Sequence, residues 1–103
     1  MGRKKAPTAS ASRMAEARQA AILLKQVSEP TRVLVIMLLA EHEEMHVGAL
    51  SEHLQQSQPA TSHHLALLRH GGLIVPRRVG KNNYYGLTER GEALSGVLKG
   101  VLG

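Results

Sequence analysis

The 103-residue sequence contains no cysteine, phenylalanine, tryptophan or aspartate. Without cysteine the chain can form no disulfide, thiolate metal site or thiol redox sensor. Its two tyrosines are too few for the aromatic platform that stacks single-stranded nucleic acid. The longest apolar run, residues 33–40, is too short to span a bilayer, and no N-terminal apolar run suggests a signal peptide. We therefore expect a soluble, cytoplasmic protein.

Positive charge dominates the composition, with a formal net charge of +5. No acidic residue lies between Glu52 and Glu89, and the acidic cluster at residues 41–44 comes just before that interval. The interval itself contains four cationic side chains, Arg69, Arg77, Arg78 and Lys81. A basic face confined to one half of the fold favours a polyanionic partner, either nucleic acid or an acidic membrane.

The periodicity of apolar residues predicts one domain over residues 13–103, after a disordered basic arm at residues 1–12. Helical spacing predicts five helices, over residues 13–27, 30–40, 48–55, 59–70 and 89–102. Residues 73–79 and 84–87 are predicted to form a hairpin around a turn at 80–83, and residues 45–47 a short strand. The order α-α-(β)-α-α-β-β-α predicts a mainly α, dimeric winged helix-turn-helix protein.

The two short helices joined by a tight turn predict a helix-turn-helix, whose second helix would enter the major groove of DNA. On that helix, Thr61, Leu65 and Leu68 fall on an inward stripe, whereas Ser62 and His63 fall on the outward face. The hairpin adds a basic wing beside this helix. Our candidate DNA-contacting residues are Ser57, Gln58, Thr61, Ser62, His63, Arg69, Arg77, Arg78, Lys81 and Asn82.

These segments resemble the ArsR/SmtB family of bacterial metalloregulatory repressors. The most specific parts are SQPATSHHLALL at residues 57–68 and RRVGKNNYY at residues 77–85, and residues 28–32, 44–50 and 72–74 also match. The resemblance implies a homodimer joined by its first and last helices. It also implies binding to interrupted inverted repeats, as a transcriptional repressor that releases DNA when a ligand binds.

The sequence departs from the family at the metal sites. The family's arsenic site uses a Cys-Val-Cys run, which here is His46-Val47-Gly48, and residues 95–103 contain no histidine, cysteine or acidic residue. We therefore expect no cofactor and no metal at the family's known sites. A weak histidine–glutamate site around His42–His46 stays open, as do an unknown effector and a partner protein.

Two other function classes compete with a DNA-binding regulator. A winged helix can serve as a protein-interaction module, or as a co-regulator that needs a partner to bind its operator. Such modules usually lose the basic wing, which this sequence keeps in Arg77, Arg78 and Lys81. An enzyme is disfavoured because no paired carboxylates, no nucleophile with a base and no phosphate-binding glycine loop are present.

Overall fold

The computed structural model describes residues 10–103 and confirms the predicted winged helix-turn-helix. Its helices are α1 (Ala11–Gln26), α2 (Pro30–His42), α3 (Val47–Leu54), α4 (Gln58–His70) and α5 (Glu89–Leu102). Its strands are β1 (Glu44–His46), β2 (Ile74–Val79) and β3 (Asn82–Leu87). Within residues 10–103, no helix is long and apolar enough to cross a membrane.

The predicted basic arm falls mostly outside the described residues. Where the structure begins, Ser10 already caps α1 by accepting a hydrogen bond from the Arg13 amide, so the helix starts at Ala11. This is two residues before the predicted start, because a serine at the N-cap position satisfies a backbone donor that would otherwise lack a partner.

Side-chain caps and prolines set the starts of the central helices. Glu29 caps α2 and Ser57 caps α4, and each helix has a proline within its first two positions. Proline fits there because its missing N–H would have no partner in the helix. Thr88 caps α5 by accepting from the Gly91 amide. The sequence therefore fixes where α4 begins, and with it where the outward face of that helix lies.

An aliphatic core surrounds α2, as its almost continuous apolar sequence predicted. Val35, Ile36 and Leu39 of this helix are buried. They belong to one cluster with buried residues of α3, α4, α5, β1 and β2. These residues are Leu50, Leu65, Leu68, Leu94, Met45 and Ile74. The helix-turn-helix and the wing are thus attached to one central helix.

The sheet has the strand order β1-β3-β2, so β3 lies in the middle. The β2–β3 hairpin turns over two residues, Gly80 and Lys81, because strand pairing extends to Val79↔Asn82. The predicted four-residue turn at residues 80–83 is therefore wrong. Gly80 has a φ of 61°, which glycine adopts without strain. Pro76 lies in the edge strand β2, where a missing N–H disrupts no ladder.

The two terminal helices expose apolar surface. On α1 no side chain is buried, and Met14, Ile22 and Leu24 are all exposed. On α5 the helical spacing of the apolar residues predicts a single stripe, whereas the structure divides them into two sets. Leu94 and Leu98 pack on the core, whereas an outward set remains exposed, consisting of Val97, Val101 and Leu102.

Gly91 permits a close approach between α5 and the residue that precedes β2. A methyl group at this position would overlap the carbonyl oxygen of Leu73, which is backbone and cannot swing aside. The Thr88 amide donates to the same carbonyl at 3.0 Å. The contact therefore seats the start of α5 against the root of the wing.

We expect Gly91→Ala to lower the free energy of unfolding by about 1–3 kcal/mol, measured by urea denaturation, because the added methyl forces the backbone apart. Gly96→Ala on the same helix is the matched control, since no atom lies within 4 Å of its added methyl. The control should be neutral or stabilising by up to about 1 kcal/mol. Equal losses in the two variants would contradict the packing explanation.

Candidate nucleic-acid interface

A three-residue turn, Gln55–Ser57, joins α3 to α4 and forms the helix-turn-helix. Gln55 adopts a left-handed conformation with a φ of 53°, and the Gln56 amide donates to the Ser51 carbonyl. Inside the motif, the Ser51 hydroxyl donates to the Val47 carbonyl at 2.8 Å and lies 3.1 Å from the Thr61 hydroxyl oxygen. Buried hydroxyls thus join α3 to the inner face of α4.

Thr61 is wrong as a candidate DNA contact. Its side chain is fully buried, and its hydroxyl faces Ser51 within the helix-turn-helix. The periodicity had already placed it on the inward stripe with Leu65 and Leu68, which are buried as predicted. The residue therefore holds the recognition helix in place and cannot reach a base.

The outward face of α4 carries the other helix candidates. At 100° per residue, its exposed positions occupy an arc of about 140°, with Ser62 and Ala66 in the middle. Gln58 and Arg69 lie at one margin of this arc and His63 at the other. This arc is the polar surface that the helix offers to solvent.

Two candidates at the start of α4 already have neighbours within the protein. The Ser57 hydroxyl accepts a hydrogen bond from the Ala60 amide at 3.2 Å, which caps the helix. The Gln58 amide nitrogen lies beside Gly48 at the start of α3, 3.9 Å from the position a Cβ atom would take there. Gln58 is nevertheless exposed to solvent.

Arg77 forms a two-pronged ion pair that the sequence did not indicate. Its Nε donates to Glu44 Oε2 at 2.9 Å, and its Nη2 donates to Oε1 at 2.7 Å. These hydrogen bonds lower the pKa of Glu44 and raise the pKa of Arg77. Both groups are partly exposed, so this is a surface ion pair. Its two parallel hydrogen bonds make it one of the stronger kinds of surface ion pair.

Gly86 makes this ion pair geometrically accessible. Glu44 on β1 and Val75 on β2 both pair with Gly86 on the central strand, so Glu44 and Arg77 share the solvent-facing side of the sheet. A Cβ atom at Gly86 would lie 3.5 Å from Glu44 Cγ and 3.2 Å from the Glu43 carbonyl oxygen. The bare glycine therefore leaves room for Glu44 to reach across β3.

The remaining wing candidates have no acidic partner among residues 10–103. Arg78 lies on the opposite face of β2 from Arg77, and its Nε donates to the Gly80 carbonyl at 3.1 Å. Lys81 is in the turn and Asn82 begins β3, and both side chains are exposed. The three predicted wing cations therefore divide into one paired arginine and two free cations near the tip.

The histidines near α3 have separate neighbours. His46 caps α3, because its Nδ1 accepts from the Gly48 amide at 3.0 Å, and its ring lies 5.8 Å from the ring of Tyr84. His42 faces His53 instead, with 5.6 Å between ring centroids. In the part of the chain that the structure describes, no three histidine or acidic side chains lie close enough to share a metal ion.

His64 also lies on α4, although it is not among our candidate DNA-contacting residues. The structure turns it inward against α2, where its Nδ1 lies 3.2 Å from Arg32 Nη1 and 3.4 Å from Glu29 Oε2. The helical spacing could have indicated this orientation, because His64 lies about 200° around the helix from Ser62.

Comparisons with known proteins agree with this geometry. The sequence model described as bacterial regulatory protein, arsR family, matches residues 29–75. The arsenical resistance operon repressor of Escherichia coli is 44% identical over 66 residues, which are 64% of this chain and 56% of that protein. The chain thus spans little more than half the length of that relative.

Two solved structures have the same fold. The transcriptional repressor BigR from Xylella fastidiosa superposes with a TM-score of 0.77 at 33% identity, covering 87% of this chain and 89% of that one. A homodimeric winged helix-turn-helix DNA-binding domain from Mycobacterium bovis gives a TM-score of 0.78 at 26% identity, covering 94% and 90%. On the family match and these likenesses, the chain belongs to the arsR family of bacterial regulatory proteins.

Proposed function

We propose that the protein binds double-stranded DNA as a homodimer and represses transcription from an inverted-repeat operator. The observation that carries this proposal is the outward arc of α4, which is polar and accessible, together with a wing tip bearing the unpaired cations Arg78 and Lys81. The family membership and the repressor function named for two similar proteins support it. The cations retained at the wing tip favour it over a protein-interaction module.

Within this proposal the middle of the arc reads sequence. Gln58 can pair with the edge of adenine through its amide, and Ser62 can bond to a base or a phosphate. His63 and Arg69 flank the groove, and Ala66 keeps the centre of the arc low enough for close approach. The Ser57 hydroxyl orients the first turn of α4, so its contribution to binding is a positioning one.

The wing supplies attraction that does not depend on sequence. Arg78 and Lys81 are free to contact phosphate or a narrow minor groove, and Asn82 stands beside them. Arg77 has a different role, because its two hydrogen bonds to Glu44 fasten β2 to β1 across the central strand. It keeps the wing at a fixed angle to the helix-turn-helix.

The apolar residues exposed on α1 and α5 supply the dimer interface. Oligomerisation adds buried surface to a domain of this size, and a dimer joined through α1 and α5 would cover these apolar side chains. Two recognition helices related by a two-fold axis would then meet major grooves about one helical turn apart, or a multiple of it.

The first test identifies the operator by selection from a pool of random duplexes, followed by mobility shift with the enriched duplex. Gln58→Ala and Ser62→Ala should each weaken binding to this duplex by about 1–3 kcal/mol and change binding to a random duplex much less. Equal losses on both duplexes, with unfolding midpoints unchanged, would show that these residues do not specify sequence.

The second test concerns the wing and has Arg77 as its internal control. Arg78→Ala and Lys81→Ala should each reduce the slope of log affinity against log salt by about one unit, since each removes one phosphate contact. Arg77→Ala should leave the slope nearly unchanged, because its charge is already paired with Glu44. A full one-unit reduction for Arg77→Ala alone would reverse the roles assigned here.

The third test concerns the dimer. Val101→Glu introduces a charge at a side chain that is 77% exposed in the protomer, so it should abolish the dimer in sedimentation without unfolding the chain. Binding to the palindromic operator should fall with it. The matched control is Val75→Glu, an exposed valine on the wing, which should stay dimeric. Dimers of Val101→Glu at wild-type strength would place the interface elsewhere.

A further inference from the structure

His64 forms the only ionisable contact from the inner side of α4 to α2 within residues 10–103. Its side chain is 16% exposed, and its Nδ1 lies 3.2 Å from Arg32 Nη1 and 3.4 Å from Glu29 Oε2. Ser62, in the middle of the proposed DNA-reading arc, lies on the other side of the same helix. A change in the contacts of His64 therefore acts on the helix from behind.

The two partners of His64 are themselves held in place. Glu29 Oε1 accepts from the Thr31 amide at 2.9 Å and caps α2, while Arg32 Nε donates to the Gln26 carbonyl at the end of α1. The Thr31 hydroxyl also accepts, at 3.2 Å, from the side-chain amide of Gln56 in the turn of the helix-turn-helix. The corner between α1 and α2 thus forms a fixed support for α4.

His64 cannot satisfy both partners at once. An unprotonated Nδ1 accepts from Arg32 and cannot donate to Glu29 Oε2, a buried oxygen that has no hydrogen-bond partner and lies 3.8 Å from Arg32 Nη1 in an ion pair. A protonated Nδ1 donates to Glu29 Oε2 and repels Arg32. The hydrogen bond from the Thr31 amide is the largest cause that lowers the pKa of Glu29, and the charge of His64 is a smaller one. The lowered pKa favours the carboxylate form of this partner. The Arg32 contact requires the neutral tautomer whose proton is on Nε2, and a proton added at Nδ1 then gives the second of two hydrogen-bond arrangements.

Few other charges bear on His64. The groups in contact with it are Glu29 and Arg32 from α2 and, on α4 itself, His63, whose ring centroid lies 6.0 Å away. From the described parts of α1 and α3, no hydrogen bond or salt bridge brings a charged side chain to His64. These three neighbours are therefore the charged and titratable groups that act on His64.

We propose that His64 is a positioning residue for the recognition helix, and that its exchange of Arg32 for Glu29 on protonation makes operator discrimination depend on pH. This inference rests on the proposed DNA-binding function. In the structure His64 Nδ1 lies closer to Arg32 than to Glu29, and we assign the observed position of α4 to this arrangement. Protonation draws Nδ1 toward Glu29 and so changes the position of α4 against α2. This change weakens the sequence-specific contacts of α4 more than the contacts with phosphate.

The measured quantity is the ratio of dissociation constants for a random duplex and the selected operator. This ratio removes the general gain in phosphate attraction that any protonation brings. For the wild type, it should fall by about three- to tenfold between about pH 7.5 and about pH 5.5, the range in which histidine changes charge. In His64→Gln the ratio should not change with pH, because glutamine can accept from Arg32 and donate to Glu29 without titrating.

Two other histidines provide controls. His70→Gln changes an exposed residue on the same helix and should keep the wild-type pH profile. His63→Gln changes a residue on the outward arc and is expected to alter the affinity itself, yet the ratio for this variant should still fall with pH. His64→Leu removes both hydrogen bonds and should lower the ratio at about pH 7.5 by about three- to tenfold.

The outcomes separate this inference from the proposed function. If the wild type binds no duplex, the proposed function fails and this inference fails with it. If the wild type binds but His64→Gln keeps its pH profile, or His63→Gln loses it, only the inference is overturned. Should His64→Leu weaken both duplexes equally while lowering the unfolding midpoint, His64 is a packing residue alone.

Discussion

Thr61, Leu65 and Leu68 hold one face of α4 against the core, and the proposed DNA-binding surface depends on that burial. A helix presents a surface of defined orientation only when its opposite side is fixed. The apolar residues fix the depth of α4, and the hydroxyls of Ser51 and Thr61 fix its register against α3. The proline and serine at its start then determine which residues face outward.

A second constraint acts on the wing, and it comes from strand order. Glu44 precedes Arg77 by 33 residues, and nothing in the local sequence pairs them. They meet because β1 adds to the edge of the hairpin and Gly86 leaves the surface of the central strand bare. Counting cations along the sequence gives three for the wing, whereas the fold leaves two of them, Arg78 and Lys81, without an acidic partner.

This contrast explains how far the sequence could predict the protein. Periodicity and capping residues are local, so the helices, the hairpin and the inward stripe of α4 were predictable. Contacts between distant segments are not local. The pairing of Arg77 depends on β1, the turn of Gln58 toward Gly48 depends on α3, and the contacts of His64 depend on α2. The division of the α5 stripe likewise depends on which side of that helix meets the core.

The start of α3 shows how the same position can take a different role. The family resemblance aligns a metal-binding Cys-Val-Cys run with His46-Val47-Gly48, yet here His46 caps the helix through the Gly48 amide. An imidazole acceptor occupied in this way supports local structure, and Gly48 accommodates it because a Cβ there would lie 3.2 Å from Nδ1. The regulation that we propose acts instead through Glu29, Arg32 and His64, whose contacts support α4 without touching its outward face.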